Sequence, residues 1–145
     1  MTVHLLKLAV GVDDIDHLAA IQERRRQEAA AAGRPPVARH MTRSMPRRAE
    51  EVLDGGSIYW VIRRVIQVRQ RIVGLDIVTA DDGTPRCAIS LDAELIPTEP
   101  RPCRPFQGWR YLEPDAAPPD ASGDVLVDAD MPQPMREELR ALGLL

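Results

Sequence analysis

Hydrophobic positions fall in short runs separated by glycine, proline and acids, which predicts alternating strands and helices with no internal repeat. Val3 to Val10 is a mostly apolar run closing at Gly11, the pattern of a central strand. Asp13, Asp14 and Asp16 then crowd the start of a helical pattern carried by Ile15, Leu18, Ala19 and Ile21. Carboxylates are favoured there by the helix dipole, so the cluster reads as capping and not as a metal site. Gly33-Arg34-Pro35-Pro36 stops that helix, and Val37 to Thr42 predicts a short extended piece. Ser44-Met45-Pro46 suits a helix entry, with the helix running to about Asp54 and capped by Gly55-Gly56.

From Ile58 to Val78 the residues are largely β-branched and alternate with period two. Ile58, Trp60, Ile62, Ile66, Val68 and Ile72 occupy the even positions, while Tyr59, Arg63, Gln67, Arg69 and Arg71 occupy odd ones. A single strand of that length would span roughly 70 Å, too long for a small domain, so the chain must fold back. Reversals are expected near Arg63-Arg64 and at Gly74, leaving one face as core and the other carrying Tyr59 and arginines. Asp81-Asp82-Gly83-Thr84 predicts a hairpin turn between Leu75–Thr79 and Arg86–Leu91. Proline at 97, 100, 102 and 105 is expected to deny regular structure until Phe106 to Leu112, a final strand or ordered loop. Glu113 to Gln133 is rich in Pro, Asp and Ala, a composition that does not order itself, and Pro134 to Leu145 reads as a short amphipathic helix.

The expected fold is therefore α+β: a small curved mixed or antiparallel sheet, or pseudo-barrel, with two flanking helices. It occupies residues 1–112 as one domain, followed by an acidic linker over 113–133 and a short C-terminal helix over 134–145. A length of 145 residues leaves no room for a second full domain. No apolar run reaches the roughly 20 residues of a membrane span, and Met1 to Lys7 lacks the pattern of a signal peptide, so a cytoplasmic protein is expected. Cys87 and Cys103 lie too far apart for a CxxC motif, which argues against a zinc site, and a disulfide is not expected in that compartment.

Charge changes the picture more than composition does. Residues 1–110 carry 17 Lys and Arg against 14 Asp and Glu, whereas residues 111–145 carry 2 against 8. Between Arg34 and Arg71 lie nine arginines and three acids, making a basic body with an acidic tail placed to screen it. Lys7 is the only lysine. Codon bias in a GC-rich genome would explain that ratio without function, but not the clustering. All five aromatic residues fall in two patches, Tyr59-Trp60 and Phe106, Trp109, Tyr111.

The only Gly pair follows a helix, so a phosphate loop is not expected; the histidines lack ligand spacing, and no Ser sits in a GxSxG context. No catalytic residue, metal or cofactor is assigned. What remains is arginine beside aromatic rings, the physical recipe for unpaired nucleic acid: cations hold phosphate while rings stack on bases. The candidate nucleic-acid-binding residues are Arg39, His40, Arg43, Arg47, Arg48, Tyr59, Arg63, Arg69, Arg71, Trp109, Arg110 and Tyr111. Trp60, on the apolar side, is assigned to packing. The expected activity is non-catalytic binding of RNA or a modified nucleotide. Alternatives are a solvated arginine face with no ligand, an enzyme on an anionic small molecule using His40 or Glu50 as base, and a protein-interaction module docking through the C-terminal helix.

The segments Met41 to Arg48, Asp54 to Ile62 and Arg104 to Leu112, with His4 to Leu8 and Arg69 to Ile72, resemble the bacterial family catalogued as domain of unknown function 1489 over residues 1 to about 119. Arg63-Arg64 departs from the Lys-Gly common at that place in the family. The order strand, helix, TR segment, short helix, Gly-Gly, YWVI strand and Ile72 to Val78 is similar to the PUA-like superfamily with its ASCH and EVE branches. That likeness implies a small mixed barrel that binds RNA or modified bases.

Overall fold

The computed structural model describes residues 1–121. Its elements are β1 (His4–Leu8), α1 (Ile15–Ala31), β2 (Ala38–Thr42), α2 (Ala49–Leu53), β3 (Ser57–Ile62), β4 (Val65–Thr79), β5 (Pro85–Pro102) and β6 (Trp109–Leu112), then a 3₁₀ turn over Pro114–Ala116. The strands form one sheet in the order β2-β5-β4-β3-β1-β6. Only the β1–β3 pair is parallel. This is an α+β fold, an open, curved, mixed sheet with two helices. Among the described residues no helix is long and apolar enough to cross a membrane.

Local chemistry explains most of the elements. The Asp14 carboxylate accepts from the His17 amide at 2.7 Å and caps α1, whose Ile15, Leu18 and Ile21 pack on the core. The helix expected from Ser44 begins only at Ala49, because the Ser44 carbonyl is engaged elsewhere, accepting from Thr42 Oγ1 and Trp109 Nε1. After α2 the chain passes Gly56, where an added Cβ would lie 2.3 Å from the Val52 carbonyl oxygen and 2.4 Å from that of Val3. Only glycine fits so close an approach.

The reversal at Arg63-Arg64 is present, with φ of 51° and 67°. Two consecutive left-handed residues match the two-residue hairpin turn that suits strand twist, although arginine lacks the ease of Asn-Gly there. The expected reversal at Gly74 is absent. β4 runs through it for 15 residues, and the length is accommodated by register shifts against β5 at Ile66/Val68, Gln70/Ile72 and Ile72/Gly74. Such irregularities bend and twist a ribbon that would otherwise extend about 50 Å.

Two further expectations are corrected. β5 continues through Pro97, Pro100 and Pro102, because β2 pairs only with Cys87 to Leu91 and leaves the rest of β5 as an edge. A proline is tolerated on an edge; the Pro97 carbonyl faces that edge and accepts from the Ala121 amide at 2.9 Å. The odd face of β3 is also not open. Tyr59 and Val61 join Ile66, moved to this face by the register shifts, in a second cluster covered by Cys103, Phe106, Leu112 and Ala117. The main core takes Ile58, Trp60, Ile62, Val68 and Ile72, as the alternation predicts.

The acidic segment stays packed past Leu112. Thr98 bridges Asp120, Pro118 is buried, and Arg69 grips both oxygens of Asp120 at 2.6 and 2.8 Å. Edge pairing and two ion pairs order residues 113–121 where composition alone predicted none. Residues 122–133 of the expected linker and the helix over 134–145 lie outside the described residues.

Candidate functional site

The sheet curls far enough for its outer strands to approach. β2 and β3 are separated by β5 and β4, yet the His40 ring meets the Trp60 indole edge-on, centroids 5.2 Å apart at 87°. Trp109 of β6 donates from Nε1 to the Ser44 carbonyl beyond β2 at 3.1 Å. α1 lies across the concave side, and the space left beneath it is a cavity of about 180 Å³. Leu18, Ile21 and Gln22 of α1 line it, with His40, Trp60 and Leu91 from the sheet and Lys7, Arg25 and Arg39 among its cations. A wider groove of about 730 Å³ adjoins it, lined by Lys7, Met41, Thr42, Arg43, Ser44, Arg86, Gln107, Gly108 and Trp109. Among the described residues, neither depression has a carboxylate in its lining.

Burial, reinforced by the nearby Lys7 and Arg25 charges, lowers the His40 pKa to about 4. The imidazole is therefore neutral near pH 7. Its Nε2 is buried with no hydrogen-bond partner among the described residues. A buried polar atom of this kind costs free energy until something meets it.

The cavity wall is held by an amide pair. Gln22 Nε2 donates to Gln70 Oε1 at 2.8 Å and Gln70 Nε2 donates back to Gln22 Oε1 at 2.6 Å. Gln70 also accepts from Trp60 Nε1 at 3.2 Å and donates to the Asp92 carbonyl at 2.6 Å. An indole can only donate and a carbonyl can only accept, so these two partners set which way the Gln70 amide points, and through it the Gln22 amide. The network ties α1, β3, β4 and β5 together behind the cavity and fixes the Trp60 ring.

The sequence-predicted residues divide into groups. Arg39 and His40 line the cavity, and Arg43 and Trp109 the groove. Arg48 pairs with Glu51 and Glu113, which hold its pKa up, and lies over the Tyr111 ring. Tyr111 in turn accepts from the Arg48 amide and packs against Trp109. Arg69 is neutralised by Asp120 and donates to Ser57 Oγ. Arg63 sits 3.3 Å from Asp13, and Arg110 lies over Phe106. Arg47 and Arg71 are exposed and line neither depression. Tyr59 is 4% exposed and packs edge-on against His4, so its ring faces protein. The arginines between 39 and 71 thus do not share one outward surface.

The sequence reading does not reach Lys7, Arg25, Arg86, Gln22 and Gln70, while Trp60, assigned to packing, is indeed a core residue that also borders the cavity. Two of these carried a signal. Arg25 continues the helical stripe of Leu18, Ile21 and Gln22, which places it over the cavity. Lys7 interrupts an apolar strand as the chain's sole lysine.

Fold and site together define an α+β protein whose curved mixed sheet carries a cationic, ring-lined cavity on its concave side. The chain belongs to the family described as Protein of unknown function (DUF1489), whose model matches residues 5–145. No curated protein and no solved structure matches it.

Proposed function

We propose that this protein binds unpaired RNA or a modified nucleotide without catalysing a reaction. A base enters the His40–Trp60 cavity and its phosphates meet Lys7, Arg25, Arg39 and Arg43. The observation that carries this is the cavity itself: Trp60 and a neutral His40 line it, the His40 Nε2 is buried without a partner, and among the described residues its lining holds cations and no acids. A neutral imidazole supplies one donor and one acceptor, which suits an uncharged base edge, while the charge is kept for phosphate. Trp60 is 3% exposed and closes the cavity wall, so stacking, worth about 1–3 kcal/mol per base, falls to the half-buried Trp109 ring in the adjoining groove.

A half-open cavity with a neutral histidine in its lining also favours a second reading, an enzyme using His40 as general base. A pKa of about 4 makes His40 a weak base at neutral pH, far from the value that best serves proton transfer. Glu50, the other base considered, lines neither depression. Binding alone is the better supported of the two.

Anisotropy of a fluorescent single-stranded RNA oligomer, titrated at two salt concentrations, tests the proposal. Affinity should fall by roughly 0.7 log units per log salt for each phosphate held. Arg25→Gln and Arg39→Gln should weaken binding, and Arg47→Gln should leave it unchanged. Absence of binding at low salt, or a slope of zero, ends the proposal.

A further inference from the structure

We infer that the ligand is a phosphodiester-linked strand of at least two nucleotides, and that Lys7 holds the phosphate joining the base in the cavity to the next unit in the groove. The inference rests on the nucleotide-binding proposal and narrows its ligand.

Among the described residues Lys7 alone lines both depressions, so it forms their shared wall. Its place is set by register: on β1 it lies opposite Trp60 of β3 on one side and Trp109 of β6 on the other. Directly paired residues share a sheet face, so an indole, an ammonium and a second indole form one row across three strands. Trp60 belongs to the cavity and Trp109 to the groove. Two strand spacings separate the indoles by about 10 Å. Stacked bases rise only about 3.4 Å, so a unit in the cavity and one on the Trp109 ring must be splayed around whatever links them. The linking group of a nucleic-acid strand is an anionic phosphodiester, and Lys7 is the cation at the midpoint.

Among the described residues the ammonium has no counter-ion. Burial lowers the Lys7 pKa and no neighbouring carboxylate among the described residues opposes that shift. A desolvated cation in such a place gains by receiving an anion. On the groove side Arg43 and Arg86 continue the path, with Arg86 3.9 Å from the exposed Asp82.

The test compares nucleoside 5′-monophosphates with dinucleoside monophosphates of the same bases by calorimetric titration. Each ligand has one phosphate, but the mononucleotide is the more highly charged, so simple attraction to cations ranks it first. The inference predicts the reverse order, with the dinucleoside monophosphate tighter by about five- to hundred-fold from its contact with the Trp109 ring. Lys7→Met should remove most of that advantage, and the wild-type comparison stands even if the variant misfolds. Equal or tighter binding of the mononucleotide overturns the inference and leaves the nucleotide-binding proposal intact. If neither small ligand binds, the inference falls, and the oligomer titration then decides whether the broader proposal falls with it.

Discussion

Gln70→Leu should destabilise the protein far more than its conservative volume implies. Gln70 is 0% exposed and engages three partners. Leucine fills similar space but leaves Trp60 Nε1 and both amide atoms of Gln22 without partners. Each orphaned buried group costs about 1–3 kcal/mol. The Asp92 carbonyl counts for less, because Asp92 is exposed and water can reach its surroundings. Greater apolar burial returns about 1–2 kcal/mol. Three such groups less that return leave a net loss of about 1–8 kcal/mol, against the 5–15 kcal/mol typical of a domain. Gln22→Leu should cost less, since Gln70 keeps Trp60 and Asp92. The double variant should cost less than the two singles together, because neither amide is then left facing an apolar partner. Urea denaturation followed by circular dichroism measures all three. A Gln70→Leu loss below about 1 kcal/mol, or strict additivity, would refute the claim that this network braces the cavity.

Two other outcomes follow from the structure. His40 stays neutral in the folded protein down to about pH 4, whereas the unfolded chain protonates it near 6.5. The unfolded state thus binds more protons in that window, and stability should fall as pH drops from about 6.5 to 4, by at most about 3 kcal/mol from this residue. His4, lowered by burial and then by Arg69, acts in the same direction. NMR titration should show His40 still neutral at pH 5.5, and His40→Gln should flatten the denaturation profile; an imidazole titrating near 6.5 contradicts this. Separately, Arg64→Gly should stabilise the protein by about 1 kcal/mol by relieving a left-handed backbone, without disturbing the bond from the Cys103 amide to the residue 64 carbonyl. A lower urea midpoint for that variant counts against the hairpin geometry.

Much of the fold was legible because it depends on neighbours in sequence. The Asp14 cap, the turn at Asp82-Gly83, the reversal at Arg63-Arg64 and the even-numbered core of β3 all rest on local period and turn chemistry. The failures share a cause in long-range pairing. Three prolines read as a break because nothing local reveals that β5 loses β2 after Leu91 and becomes an edge. The odd face of β3 looked open because its cover comes from residues 103–117. Arg69 looked available because its acid, Asp120, lies 51 residues away, whereas Arg48 has one acid, Glu113, 65 residues away and another, Glu51, three residues on and legible in the sequence. The candidate site was legible only at Arg39, His40, Arg43 and Trp109. Its other members enter from α1, β1, β3, β4 and β5, and sheet curvature brings them together.

The chain has two tryptophans, and one lines the cavity and the other the groove. Intrinsic fluorescence titrated with a short unlabelled single-stranded RNA therefore reads occupancy at the candidate site itself. Binding there should quench or shift the emission at low salt, with a midpoint that weakens as salt rises and an amplitude reduced in Arg39→Gln. An unchanged spectrum alongside RNA binding seen by anisotropy would place the nucleic acid elsewhere on the protein and contradict the assignment of this site.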